Sequence, residues 1–141
     1  MGLRSKLLRS GASMTAAFAL LGAAAGTAHA DSSGCTSVSN WSIKGVALDN
    51  VCIEIHGSGN HVDRMYAVFI GPGGIDNPRL RLTAFDLDGK QKAQWVSQQW
   101  LGHRTNETFE VKNVDLPTGK VCAEVGTSGS WSPGACKGIF P

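Results

Sequence analysis

LPTGKVCAEVGTSGSWSPGAC, residues 116–136, has the alternation, corner and cysteine pair of a stapled β-hairpin. Val121, Ala123 and Val125 fall on one face of a strand because side chains alternate with period two, and Cys122 and Glu124 fall on the other. Pro117 fixes φ and donates nothing to a ladder, so it suits the corner before that strand. Gly126, Gly129 and Gly134, with Ser128, Ser130 and Pro133, predict a long irregular loop. Cys136 then falls where a returning strand lies beside Cys122. A disulfide there would staple the hairpin, a contribution of about 3 kcal/mol on the chain-entropy estimate. No Cys-x-x-Cys spacing is present, so the pair reads as a staple rather than a redox dithiol.

Working outward, the rest of the chain repeats the pattern. Residues 41–48 predict a first strand and residues 51–56 a second, with 31–40 fraying and 57–63 a polar loop. Residues 65–70, MYAVFI, are apolar on both faces and predict a central strand, and the run from Gly71 to Pro78 predicts a chain break. Residues 79–86 alternate, with Leu80, Leu82 and Ala84 inward and Arg79, Arg81 and Thr83 outward. Asp88-Gly89 is a hairpin signal, and residues 91–100 return with Trp95 and Trp100. Residues 102–106 read as loop, 108–114 as a strand with Phe109 and Val111 inward, and 120–126 and 135–140 as the last strands. No sustained 3.6-residue apolar period occurs outside the leader. The fold class predicted is all-β, a single antiparallel β-sandwich of seven or eight strands.

The leader is residues 1–30. Arg4, Lys6 and Arg9 form a basic start, residues 14–25 are apolar and Ala-rich, and Ala28-His29-Ala30 fits the small-x-small rule for signal cleavage. The apolar run is too short to span a bilayer. The reading is a secretory signal peptide over 1–30 and one domain over 31–141, with no membrane association after cleavage. Three basic and no acidic residues leave with the leader, so the mature chain holds ten Lys and Arg against eleven Asp and Glu. It is nearly neutral and has no Lys/Arg run to track a phosphate backbone, so nucleic acid is not an expected partner.

All four cysteines, Cys35, Cys52, Cys122 and Cys136, lie in the mature part. An even count in an exported chain implies two disulfides. Cys52 and Cys122 stand opposite the apolar faces of their strands, whereas an inter-sheet bridge would need them facing the core. The pairing favoured is therefore Cys35 with Cys52 and Cys122 with Cys136; Cys52 with Cys122, as in antibody domains, is the alternative.

Few residues suggest chemistry. His56 and His61 with Asp63 are residue types that bind zinc or copper, but His-x4-His on a loop matches no helical metal motif. Asp86-Leu87-Asp88-Gly89 starts like a calcium loop and lacks the remaining ligands. Asp86 and Asp88 are the one close carboxylate pair, and a hairpin tip holds such geometry poorly. No Gly-x-Ser-x-Gly elbow is present. No metal, cofactor or catalytic residue is expected, and the chain reads as not an enzyme. The four tryptophans stand out: Trp41, Trp95, Trp100 and Trp131. Trp131 lies among glycines, serines and proline. It is either an exposed anchor for a protein or sugar, or a ring folded back over its own hairpin.

The Ala-rich leader, Val121-Cys122-Ala123-Glu124-Val125 after the Leu-Pro-Thr-Gly-Lys corner, and the Gly/Ser loop ending Ala135-Cys136-Lys137 resemble small secreted proteins of Streptomyces and related actinomycetes. The resemblance covers the leader and residues 114–140. The corner is also similar to that before a late strand in immunoglobulin-like and fibronectin type III domains, which implies an immunoglobulin-like sandwich. The usual corner tyrosine is absent; Val121 and Cys122 occupy its neighbourhood. In size and cysteine count the chain resembles the Streptomyces subtilisin inhibitors, yet no proline follows any cysteine where that family carries a Cys-Pro reactive loop. The function expected is a secreted, non-catalytic binding module for an extracellular protein or glycan, with Trp131 as the binding residue. The alternatives are a secreted protease inhibitor and, third, a small hydrolase.

Overall fold

The computed structural model describes residues 32–38 and 49–141. The predicted leader, the cleavage site before Asp31 and the predicted strand over 41–48, with Trp41, lie outside the described residues. The described residues form nine strands and no helix: β1 (Ser32–Ser37), β2 (Asn50–Ser58), β3 (His61–Asp76), β4 (Arg79–Asp86), β5 (Gln91–Val96), β6 (His103–Asp115), β7 (Gly119–Thr127), β8 (Ser130–Trp131) and β9 (Ala135–Ile139). They make two antiparallel sheets. The first runs β1-β2-β3-β6; in the second β5, β4 and β7 lie in that order, and β8 and β9 both pair with β7.

The alternation written in the sequence builds one core between them. Ile53, Ile55, Met65, Ala67 and Phe69 of the first sheet meet Leu80, Leu82, Val121, Ala123 and Val125 of the second, all fully buried. β1 packs on β9, and β2 and β3 pack on β7, so the architecture is sandwich-like. Cys35–Cys52 joins β1 to β2 and Cys122–Cys136 joins β7 to β9, each across directly opposed register positions. Both disulfides are the sequence-local pairs. Each ties an edge strand to its neighbour on the sheet's outer face, the side opposite the apolar positions.

Several segments depart from the sequence reading: the described residues hold nine strands against the seven or eight expected, and the strand expected over 91–100 ends at Val96. Residues 32–37, expected to fray, form β1, because the disulfide and the β2 ladder hold them. The expected loop over 57–63 shrinks to a tight hairpin in which Ser58 pairs with His61. Asn60 explains its order: its amide donates to the Leu116 carbonyl (2.9 Å) and to Thr118 Oγ1 (3.2 Å), tying the turn to the corner before β7. The expected break at 71–78 shortens to residues 77–78, because β3 continues to Asp76 through a shift in register against β6 between Ile70 and Ile75. The buried Asp49 sits inside this bulge, accepts a hydrogen bond from the Gly73 amide (3.0 Å), and leaves no room for a side chain at position 71, where a Cβ would lie 1.9 Å from its Oδ1. The expected loop over 102–106 belongs largely to β6, which begins at His103.

The Asp88-Gly89 signal corresponds to the turn between β4 and β5. Asp86 Oδ1 accepts hydrogen bonds from the amides of Lys90 (2.9 Å) and Asp88 (3.0 Å), the Lys90 amide above all holding its carboxyl below the ordinary aspartate range. This carboxylate is occupied by its own turn. Among the described residues no helix is long and apolar enough to cross a membrane.

Candidate functional site

Trp131 is placed by a tight hairpin rather than by an irregular loop. Gly126 pairs with Trp131 and Thr127 with Ser130, leaving Ser128 and Gly129 as a two-residue turn. Both have positive φ, 51° and 78°, the signature of a type I′ turn whose twist matches the strands it joins. Ser132 extends the pairing: its amide donates to the Val125 carbonyl (2.8 Å) and its Oγ accepts from the Val125 amide (3.1 Å). Ser132 is buried, so those polar groups are satisfied within the fold.

The half-buried indole lies across the Gly126 backbone on the outer face of the second sheet; a Cβ at position 126 would come within 2.7 Å of the ring. The Arg81 guanidinium is 4.1 Å from the ring centroid, within cation–π range. Arg81 is held by Glu124, its register partner on β7, with Nε and Nη2 at 3.1 Å and 2.5 Å from Glu124 Oε2. A glycine strand position covered by a cross-strand aromatic is a recognised way to restore packing where no side chain exists. That partner was invisible in the sequence, because Gly126 and Arg81 become neighbours of Trp131 only through the β4–β7–β8 register.

The indole also borders a cleft of about 240 Å³ lined by Asn77, Arg79, Gln99 and the 126–130 hairpin. Its walls are braced. The Asn77 side chain accepts a hydrogen bond from the Gly102 amide (2.7 Å), Gln99 donates to the Asn77 carbonyl (3.1 Å), and Thr127 Oγ1 donates to the Asp76 carbonyl (2.6 Å). An aromatic edge, two side-chain amides and a guanidinium around one small cleft can hold a polar organic group by packing and hydrogen bonds.

A second, larger concavity of about 630 Å³ lies on the outer face of the first sheet and was not anticipated. Glu54, Tyr66 and Glu110 form one row across β2, β3 and β6, and His56, Arg64 and Lys112 form the next. Residues 65–70 therefore do not face protein on both sides: Met65, Ala67 and Phe69 are buried, whereas Tyr66 and Val68 are half-buried and Ile70 is half exposed. The available signal was the polar residue at every second position in three separate segments.

The histidines do not converge. His56 pairs with Glu54 at 2.5 Å. His61 Nδ1 is 2.7 Å from Asp115 and Nε2 3.5 Å from Asp63, and His103 Nδ1 is 2.8 Å from Asp76. The Asp115 hydrogen bond raises the His61 pKa above the ordinary imidazole value, and the Asp76 hydrogen bond does the same for His103. Among the described residues no three His, Cys, Asp or Glu side chains are grouped to hold a metal ion. Of the other tryptophans and phenylalanines, Trp95, Trp100 and Phe109 lie partly buried against the core.

No family model matches the chain, and neither a curated protein nor a solved structure matches it.

Proposed function

We propose that this protein is exported and acts outside the cytoplasm as a non-catalytic binding module for an extracellular protein or glycan, with the Trp131 cleft as its contact surface. The leader over residues 1–30 supports export, and two disulfides within one small domain fit an oxidising compartment. The observation that carries the binding role is the bracing of the cleft. The type I′ turn, the Arg81–Glu124 pair and the Asn77 hydrogen bonds hold its walls in place before any ligand arrives. A site ordered in advance loses less conformational entropy on binding.

The immunoglobulin-like type of the sandwich rests on the Leu116-Pro117-Thr118-Gly119 corner.

The test is retention of extracellular proteins and arrayed glycans by the immobilised protein, compared with Trp131→Ala. The expected result is a bound component whose affinity falls by about thirtyfold in the variant, the hot-spot scale, with the fold retained. Equal retention by both would remove Trp131 from the function.

A further inference from the structure

We infer that the outer face of the first sheet is a second binding site, and that its ligand is a neutral oligosaccharide lying along β3, flanked by β2 and β6. The two sheets treat their outer faces differently. On the second sheet Trp131 covers Gly126, Arg81 pairs with Glu124, Gln94 donates to Thr83 (3.1 Å), and a disulfide lies alongside. The first sheet also carries a disulfide and paired groups, His56 with Glu54 and Lys112 with Glu110, yet it presents the concavity of about 630 Å³.

Its chemistry selects the ligand. Tyr66 stands at the centre, with carboxylates on both neighbouring strands, Glu54 and Glu110. Arg64 is the next outward residue along β3, and His56 meets the Tyr66 ring edge-on, with centroids 6.2 Å apart and planes at 81°. A pyranose offers one apolar C–H face and a rim of hydroxyls that both donate and accept. Tyr66 and Val68 supply surface for the face, the carboxylates accept from the hydroxyls, and Arg64 and Thr108 donate to them. An acidic row (Glu54, Glu110) lies beside a basic one (Arg64, Lys112), and Asp63 also lines the concavity, so neither a polyanion nor a polycation meets a surface of uniformly opposite sign. From Arg64 to Val68 the strand advances about 13 Å, the reach of a short chain of sugars rather than a single one.

The experiment uses purified protein with both disulfides formed. It is screened against defined fragments of β-linked glucan, xylan, mannan and chitin, and any binding is measured by calorimetry. At least one fragment is expected to bind, with Tyr66→Ala and Glu54→Gln each weakening it about tenfold. Glu54→Gln and Arg64→Gln alter exposed groups and carry the test should Tyr66→Ala not fold. No binding at about 1 mM fragment overturns the inference, as does binding of extended peptides in place of sugars. Sugar binding lost only in Trp131→Ala also overturns it and assigns the ligand to the cleft.

Discussion

Asp76 and His103 face one another across the β3–β6 ladder, with His103 Nδ1 2.8 Å from Asp76 Oδ1. The other end of the same ladder is closed in the same way, by His61 and Asp115. The longest strand pairing among the described residues is therefore clasped at both ends by a cross-strand imidazole–carboxylate pair.

These clasps give stability a defined pH dependence. Both imidazoles have raised pKa values in the folded state, through Asp115 and Asp63 at His61 and through Asp76 and Asp49 at His103. A raised folded-state pKa contributes stability that is fully present below the unfolded imidazole value and is lost as pH rises through the folded one. The melting temperature is expected to fall between about pH 6 and pH 8, and the double variant His61→Asn, His103→Asn should flatten that part of the curve. Thermal melts across the range decide it; a wild-type profile as flat as that of the variant would refute the clasps. Both pairs are exposed, so the effect is modest and weakens with salt.

Gly71→Ala is expected to destabilise the protein by about 2–4 kcal/mol. A Cβ at this position would meet Asp49 at both its Oδ1 (1.9 Å) and its Cα (2.5 Å), so the backbone itself must shift. Denaturant titration measures the loss. A change under about 0.5 kcal/mol, typical of a neutral surface site, would show that the bulge does not wrap Asp49 as described.

This bulge marks where sequence reading reached its limit. The strands at 51–56, 79–86 and 120–126 were legible because their apolar alternation faces one shared core, and the two disulfide pairs followed from the faces their cysteines occupy. Gly71-Pro72-Gly73-Gly74 reads as a break because local propensity favours one; Asp49, more than twenty residues earlier, turns it into a strand irregularity. Trp131 is similar. Its role depends on Gly126 and Arg81, which only strand register brings to it. Tyr66 was hidden inside an apolar run whose outer half faces solvent.

Removing the Cys122–Cys136 bridge by replacing both cysteines with alanine should cost about 3 kcal/mol, given the separation of 14 residues. Because β9 packs on β1 as well as pairing with β7, hydrogen exchange should accelerate first along Ala135–Ile139. Uniform acceleration over both sheets would mean that the staple acts on the whole domain rather than on its edge.

Gly126→Ala should displace the indole, since the new methyl would lie within 3 Å of three ring atoms. The expected cost is about 1–3 kcal/mol, accompanied by increased accessibility of one tryptophan to a fluorescence quencher. Unchanged stability with unchanged quenching would show that the ring does not rest on that glycine.

Amide chemical-shift mapping of the ¹⁵N-labelled protein, titrated with the component that the immobilised protein retains, tests the binding role most directly. The expected result is a set of perturbed resonances at Asn77, Arg79, Gln99 and Gly126 through Trp131, around the braced cleft. Perturbations that leave all of these unmoved would contradict the assignment of the Trp131 cleft as the contact surface.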